Sequence, residues 1–371
     1  MQLFFIILST LFQAWPVQAL EKATNISVGF DLNDSYGTAA ISFPNGTSQR
    51  IARVYGNQAY RDTLHKLSLW SSQHEAPPYT TPVQRSKDWP RQQERKARKA
   101  AGLPASEDVG AISSLVRALK EETEKAVGFS ITSAAASVPL FPAIYDEDLY
   151  DSFEYIDLEY LQMIQYSYRG PLLTYEPAAA LAGHGFALCS NIAHPQACWK
   201  KDDGFWHEYY YIVDYTKSSL LAYHTGTFSE GAYDIKVAQE YNLFLGSDAR
   251  FDNPNEDHYW DGVRQVLLKP LLARSYQMPT KIILVGESSD DPAFREHFDD
   301  VLEEFFKDAV PPIFDQDPVY VQAKGAAEFV RRSAYLPKPT KPQVVDSKSK
   351  MYIHRDYKGQ ENVQKVFVAE L

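Results

Sequence analysis

The sequence predicts an α/β protein in which two similar lobes flank a cleft. Two segments, VGFDLNDSYGTA at 28–39 and YIVDYTKSSLLAY at 211–223, each consist of an apolar strand ending near an aspartate, a polar loop and a second strand. A third segment, TKIILVGESSDDP at 280–292, has a buried strand, a glycine turn and the start of a helix, which is typical of a parallel sheet. One strand–loop–strand unit is therefore expected in each lobe.

The first half of the chain alternates strands and helices. Its expected strands lie at 25–32, 37–43, 49–55, 129–139 and 171–176. Its expected helices lie at 107–127, at 146–167 and from Glu176 onwards. Pro177 suits the first turn of that last helix, which is rich in alanine. The proline-containing stretch at 74–106 is expected to be irregular.

In the second half of the chain, helices are expected to follow the strand–loop–strand unit at 208–225. These helices are expected at 234–245, at 257–275 with a kink at Pro270, and at 321–334. The sequence PKPTKP at 337–342 predicts a linker to a polar tail. One basic run, RQQERKARK at 91–99, is interpreted either as a docking patch or as a solvated face.

The N-terminus predicts entry into the secretory pathway. Residues 1–19 combine a short apolar stretch with a small-residue cleavage site, so a cleaved signal peptide is expected; an uncleaved membrane anchor is the alternative. Three sequons predict glycosylation at Asn25, Asn33 and Asn45. In an oxidising compartment Cys189 and Cys198 are expected to form a structural disulfide. The expected location is secreted or within the secretory-pathway lumen.

Composition limits the class of partner. The chain is 44% apolar and 23% charged, as in globular proteins, and its net charge is −11. That negative charge argues against nucleic acid or an anionic membrane as the partner. We expect no membrane contact once the signal peptide is removed. The further expectation is a monomer with an unknown protein partner.

Five segments, in chain order, resemble the nucleotide-binding domain of the seventy-kilodalton heat-shock chaperones, within the actin-like ATPase superfamily. VGFDLNDSY and YIVDYTKSSL are similar to its two phosphate hairpins. TYEPAAALAGHG at 174–185 is similar to its alanine-rich helix, and it is the most specific match. ILVGESSDDPAF at 283–294 is similar to its adenosine turn, and AKGAAEFV at 323–330 to the helix that closes the fold. The resemblance covers residues 25–336.

The resemblance implies an actin-like ATPase fold with duplicated, hairpin-containing mixed sheets flanking a cleft. Lobe I would cover 20–187 and lobe II 188–336, followed by the linker and polar tail at 337–371. ATP and Mg²⁺ would lie between the hairpins. Asp31 and Asp214 match the aspartates that order the Mg²⁺ hydration shell, and Glu176 matches the glutamate near the attacking water. The implied cofactor contacts are Asn33, Asp34, Ser35, Tyr36, Thr216, Lys217, Ser218, Ser219, Gly286, Glu287 and Ser288.

These carboxylates also have a purely structural interpretation. Asp31 and Asp214 could cap strand–loop turns, and Glu176 could cap the alanine-rich helix. The choice between the two interpretations depends on where the side chains lie.

Departures from the family pattern weaken the expected nucleotide site. Asn33 stands at a glycine position of the first hairpin, and Thr216, Lys217 and Ser218 replace glycines in the second. Glycines let backbone N–H groups approach phosphate oxygens, so these replacements disturb the cradle. Asp34 and Glu287 add negative charge, which Lys217 could partly offset.

Other parts of the family's site are reduced. The stretch between Asp214 and Gly286 is markedly shorter than in the family, which implies a reduced outer subdomain of lobe II. Lys66 is a possible counterpart of the family's phosphate-contacting lysine. A glycan on Asn33 would be incompatible with a closed nucleotide cleft.

Two functions from different classes follow. The first is a binding or interaction protein of the secretory pathway that has a degraded nucleotide site and weak or no ATP hydrolysis. The alternative is a functional ATP-binding ATPase that acts as a chaperone accessory. A third idea, a metal-dependent hydrolase, is based on an irregular acidic cluster: Asp248, Asp252, Asp257, His258 and Asp261.

Overall fold

The computed structural model describes residues 26–162, 173–188, 208–227, 235–252, 255–273 and 277–333, and two strands near the C-terminus. A first compact unit ends at Tyr335, and a second begins at Leu336. The predicted signal peptide, Asn25, Cys189 and Cys198 lie outside the described residues, as does most of the predicted linker and tail.

The first sheet combines an antiparallel meander with parallel strands. Its strands are β1 (Ser27–Leu32), β2 (Tyr36–Ser42), β3 (Ser48–Tyr55), β4 (Ser133–Val138), β5 (Glu159–Tyr160) and β6 (Thr174–Tyr175). The order is β3-β2-β1-β4-β5, and β6 also pairs with β4. Strands β1 to β3 are antiparallel, whereas β4 is parallel to β1. In that register Asp31 lies opposite Ser137.

The second sheet repeats this arrangement. Its strands are β7 (Glu208–Tyr215), β8 (Leu220–Thr227), β9 (Ile235–Asn242), β10 (Lys281–Val285) and β11 (Ile313–Phe314). The order is β11-β10-β7-β8-β9, with β7 to β9 antiparallel and β10 parallel to both β7 and β11. Both sheets therefore consist of a three-stranded meander whose first strand also pairs with a parallel strand.

Nine α-helices accompany the sheets in the described part of the chain. They are α1 (Gln58–Leu67), α2 (Pro82–Ala100), α3 (Glu107–Val127), α4 (Asp146–Glu154), α5 (Glu176–Gly183), α6 (Ser247–Asp252), α7 (Glu256–Leu271), α8 (Pro292–Phe306) and α9 (Val321–Ser333). In the second unit, β12 (Met351–Arg355) and β13 (Glu361–Lys365) form an antiparallel pair. Thus the chain is mixed α/β with two mixed sheets, compatible with a two-lobed α/β fold.

Small residues let α9 pack closely against α5 and β1. A Cβ added to Gly325 would lie 1.8 Å from the carbonyl oxygen of Ala179 in α5, and one added to Gly183 would lie 2.0 Å from that of Val321. A Cβ on Gly29 in β1 would lie 2.1 Å from the backbone nitrogen of Ala327. These approaches exclude side chains, which explains the alanine- and glycine-rich composition of both helices.

Among several differences from the sequence-based prediction, two concern the type of element. Residues 82–100 form helix α2, although the stretch around them was expected to be irregular. Thr81 and Gln84 form a capping box, and Pro82 lies at the start of the helix. The helix buries only polar side chains, so the apolar periodicity that usually reveals a helix is missing.

The second difference is β9, where the sequence predicted a helix at 234–245. Residues Ile235–Asn242 pair with β8 along their whole length, from Thr227 opposite Ile235 to Leu220 opposite Asn242. This pairing with β8 outweighs the local helical pattern. In the tyrosine-rich region, where a helix was expected at 146–167, helix α4 ends at Glu154; residues 163–167 lie outside the described residues.

Candidate functional site

The tips of the two hairpins contact each other directly. The hydroxyl of Ser218 donates to Asp34 Oδ2 at 2.9 Å, and that of Ser219 donates to Asp34 Oδ1 at 2.8 Å. Next to this pair, Asn33 Nδ2 donates to Asp214 Oδ2 at 3.2 Å. The loop after β1 is thus joined by side-chain hydrogen bonds to β7 and to the loop that follows it.

Thr216 forms hydrogen bonds with other residues of the second loop. Its Oγ1 accepts from the backbone N–H of Ser218 at 3.2 Å and of Ser219 at 2.9 Å. Its own N–H donates to the carbonyl of Ser219. Two backbone donors that could face a phosphate therefore bond to a hydroxyl of their own loop.

Neither loop adopts the left-handed conformation that glycine favours. Asn33 and Thr216 both have negative φ. Asn33 Oδ1 accepts from the N–H of Ser35 at 3.4 Å, and Tyr60 donates to the carbonyl of Asn33 at 2.6 Å. The backbone at Asn33 and Thr216 therefore does not require glycine.

Three carboxylates are buried beside this contact: Asp31, Glu176 and Asp214 are each at most 1% exposed. Asp31 Oδ1 accepts from Ser137 Oγ at 2.7 Å, and Glu176 Oε2 accepts from Tyr223 at 3.4 Å. Within the described residues, one oxygen of each group lacks a hydrogen-bond partner.

These contacts argue against the capping interpretation. The side chain of Asp214 accepts from two side-chain amides, Asn33 and Gln322, the latter at 3.1 Å. Helix α5 begins after Tyr175, and no side chain caps it. In the hydrogen bonds of the described residues, Asp31, Glu176 and Asp214 accept from side chains and not from turn N–H groups.

Burial shifts the proton equilibria of the cluster. It raises the pKa of Asp31 to about 8 and that of Asp214 to about 7. Burial, followed by the charges of Asp31 and Asp214, raises the pKa of Glu176 well above its usual value. Burial also raises the pKa of Asp34, against the effect of its two hydroxyl donors. None of the ion pairs found in the described residues includes any of these four groups.

The adenosine-like turn is packed against the end of β7. Gly286 has φ +97°, and a Cβ there would lie 2.2 Å from the carbonyl oxygen of Tyr215 and 2.5 Å from Asp214 Oδ1. The N–H of Ser288 donates to that same carbonyl of Tyr215, and the Ser288 hydroxyl is 2.8 Å from that of Ser247. Close packing thus explains the glycine without any ligand.

Glu287 is paired, so it does not add an uncompensated charge. Its Oε2 accepts from Arg53 Nη1 at 2.9 Å and from the hydroxyl of Tyr55 at 2.7 Å. Both donors lie on β3 of the first sheet, so this contact joins the two sheets at a second point.

The two candidate lysines do not reach the cluster. Lys217 is exposed, its Nζ lies 5.9 Å from the ring centroid of Tyr55, and it forms no ion pair with Asp34 in the described residues. Lys66 forms an ion pair of 2.7 Å with Asp108. In the described part of the chain, no three His, Cys, Asp or Glu side chains are arranged to hold a metal ion.

The structure distinguishes two of the glycosylation candidates by their accessibility. Asn33 is fully buried and its amide nitrogen is bonded to Asp214, so a glycan there is incompatible with the folded chain. Asn45 is exposed in a turn, where its Oδ1 accepts from the N–H and the hydroxyl of Thr47. Asn45 therefore remains a candidate.

Sequence reasoning missed several residues of the site: Arg53, Tyr55, Tyr60, Ser137, Tyr223 and Gln322. None carries a motif of its own. Their positions depend on strand order and helix packing.

No protein-family model matches the chain, and a search of curated proteins found no match. Within the described residues, no helix is long and apolar enough to cross a membrane.

Proposed function

We propose that this chain is a secretory-pathway binding or interaction protein built on the actin-like ATPase fold. It resembles the nucleotide-binding domain of the seventy-kilodalton heat-shock chaperones and has weak or no ATP hydrolysis. Support for the fold comes from the matching strand order of the two sheets, each with its hairpin, and from the close crossing of α5 and α9.

The main support for the proposed loss of nucleotide chemistry is the contact of Asp34 with Ser218 and Ser219. The carboxylate of Asp34 lies between the hairpins, where the resemblance would put phosphate, and it bonds to hydroxyls of the opposite loop. A phosphate charge about 4 Å from an ionised Asp34 would cost roughly 1 kcal/mol in water and about 4 kcal/mol at an effective dielectric of 20. The residues present therefore do not fit a Mg-nucleotide.

The alternative, a functional ATPase that acts as a chaperone accessory, has one observation in its favour. Asp31, Glu176 and Asp214 are all present and buried side by side, each with an oxygen that has no partner within the described residues. Such groups could engage a ligand if the two hairpins separated. This would require breaking the bonds of Asp34 and Asn33 to the second hairpin.

The proposed partner is another protein. The segment between β9 and β10 contributes only α6 and α7 among the described residues, which supports a reduced outer subdomain of lobe II. The net charge of −11 disfavours nucleic acid. We propose a monomeric protein located in the secretory-pathway lumen or outside the cell.

Thermal unfolding with and without Mg-ATP or Mg-ADP tests this function. A ligand at 100 times its dissociation constant stabilises a protein by about 2.7 kcal/mol, which shifts the unfolding midpoint measurably. We expect no shift at millimolar nucleotide. A shift that disappears in the Asp214→Asn variant but persists in an Asp88→Asn control would establish nucleotide binding and overturn the proposal.

A further inference from the structure

The basic run at 91–99 lies in α2, where part of its charge is already used. Arg91, Arg95 and Lys99 face the protein and pair with carboxylates of α2 and α4. Arg95 is 5% exposed, and its guanidinium lies 2.7 Å from carboxylate oxygens of both Asp148 and Asp151. Because only Asp88 and Arg95 are buried in this helix, polar contacts dominate its attachment to the protein.

A second set of side chains on α2 lies beside the face that forms these ion pairs. Arg85, Trp89 and Lys96 are all exposed, and 55% of Trp89 is accessible. At 3.6 residues per turn these three positions fall within a sector of about 40°, and Arg85 and Lys96 are about 16 Å apart along the helix. Among the described residues, neither cation has an ion pair and no ring packs on Trp89. We call these three residues the outer stripe.

We infer that the outer stripe is a docking site for an acidic segment of a partner protein, with an apolar side chain between two carboxylates. The inference rests on the proposed interaction function, for which it names the chemistry of the partner.

Charge and shape both favour this occupant. Arginine and tryptophan are the side chains most enriched where binding energy concentrates in protein interfaces. Carboxylates would pair with Arg85 and Lys96, while an apolar group between them would cover the indole of Trp89. The cations are about 16 Å apart, which about five residues of extended chain or about eleven of a helix would span.

The net charge of the chain favours a short acidic segment over an extended anionic surface as the binding partner. The chain carries a net charge of −11, which repels an extended negative surface such as an anionic bilayer. At physiological ionic strength charges act over about 8 Å, so a short acidic segment is affected mainly by the outer stripe.

Binding of a synthetic peptide tests the site. The probe is a fluorescently labelled 16-residue peptide of Glu and Leu, added to the mature chain without nucleotide and followed by anisotropy. We expect Trp89→Ala, and the double variant Arg85→Glu with Lys96→Glu, each to weaken binding at least about tenfold. All three side chains are exposed, so these variants should keep the fold, which circular dichroism would verify.

Lys87→Glu is the matched control. Lys87 is an exposed cation of the same helix, but it lies about 160° around the helix axis from Trp89. We expect its charge reversal to change the affinity by less than about twofold.

Three results would overturn the inference: no peptide binding, an equal loss with Lys87→Glu, or Trp89-dependent binding to phosphatidylserine vesicles without peptide binding. Because the assay contains no nucleotide, these results differ from those that would overturn the proposed loss of nucleotide function.

Discussion

The carboxylate of Asp34 joins the first hairpin to the second. It accepts from two hydroxyls of the second hairpin while 6% exposed. Hydrogen bonds to charged groups contribute more than those between neutral groups, so this pair can hold the loops together. The residue that the sequence marks as unfavourable for phosphate is thus an acceptor for the chain's own hydroxyls.

Removing that carboxylate should destabilise the protein. In the Asp34→Ala variant, Ser218 and Ser219 lose their acceptor and retain only their contacts with Thr216. We expect the free energy of unfolding to fall by about 1–3 kcal/mol, measured by denaturant titration. Asp34→Asn, which keeps an acceptor oxygen, should lose less. If the alanine variant is as stable as the parent, the contact does not hold the hairpins together.

The sequence identified the acidic members of the site but not their partners. Asp31, Glu176 and Asp214 stand at recognisable motif positions, and the structure brings all three together in a buried cluster. Ser137 reaches Asp31 only because β4 runs parallel to β1, and Gln322 reaches Asp214 only from α9. Single residues without a motif become visible only when the pairing of distant elements is known.

Helices α5 and α9 cross at a distance that only glycine allows. Gly325 faces the carbonyl of Ala179, and Gly183 faces that of Val321. Both obstacles are backbone atoms, which cannot rotate away as a side chain could. The alanine-rich motif therefore reflects a packing requirement whether or not the cleft has any chemistry.

Enlarging Gly325 should be costly. Its added Cβ in Gly325→Ala would lie 1.8 Å from a carbonyl oxygen, so the helices must move apart. We expect a loss of about 3 kcal/mol or more in the free energy of unfolding, at the upper end of overpacking effects.

Gly262→Ala in α7 is the control for this prediction. There the nearest atom is a methyl of Leu245 at 3.2 Å, which can shift. We expect a change within about 1 kcal/mol, since alanine also favours the helix. Equal costs at the two glycines would mean that the α5–α9 crossing is not specially constrained.

The sequence-based prediction of helices and strands succeeded where apolar residues recur at regular spacing. The helix expected at 107–127 is α3, with the same limits, because its buried positions are mostly apolar and recur at helical spacing. The pattern missed α2, whose buried face is ionic, and misassigned β9, whose conformation depends on its neighbour β8. A helix held by ion pairs, or a strand held by pairing with its neighbour, does not show this apolar periodicity in its sequence.

The two sheets share one strand order, and their hairpin tips meet inside a single compact unit. Contacts from Asn33 to Asp214, from Asp34 to Ser218 and Ser219, and from Arg53 to Glu287 join the two sheets. The sequence predicted two similar halves from one short repeated pattern. It could not predict direct contact between their tips, because that depends on the distance between the lobes.

The stability of the whole molecule should fall as the pH rises from 7 to 9. The pKa of Asp31 is raised from 3.8 to about 8 and that of Asp214 from 3.8 to about 7, so the folded chain holds protons that the unfolded chain has released. Stability from this source is full below pH about 4 and is lost as the pH rises through these values. Urea unfolding at several pH values in this window would measure the decrease.

The variant Asp31→Asn should flatten that decrease, because an amide does not ionise. The window also avoids the half-buried His184 and the buried His224, whose pKa values are lowered by burial and which are therefore neutral above pH 7. A stability that is constant or rises from pH 7 to 9 in the parent protein would contradict the prediction.

The interlocking of Asp34, Thr216, Ser218 and Ser219 also bears on the evolution of the chain. Replacing Asp34 alone leaves the loop donors bonded to Thr216, and replacing Thr216 alone leaves the carboxylate between the hairpins. On the proposed fold, no single substitution among these residues would free the loop donors and remove the carboxylate together, and each first step is expected to lower stability. Two or more simultaneous changes would therefore be needed to open the hairpins, so sequence variation should be tolerated more readily on the exposed surface than at these four positions.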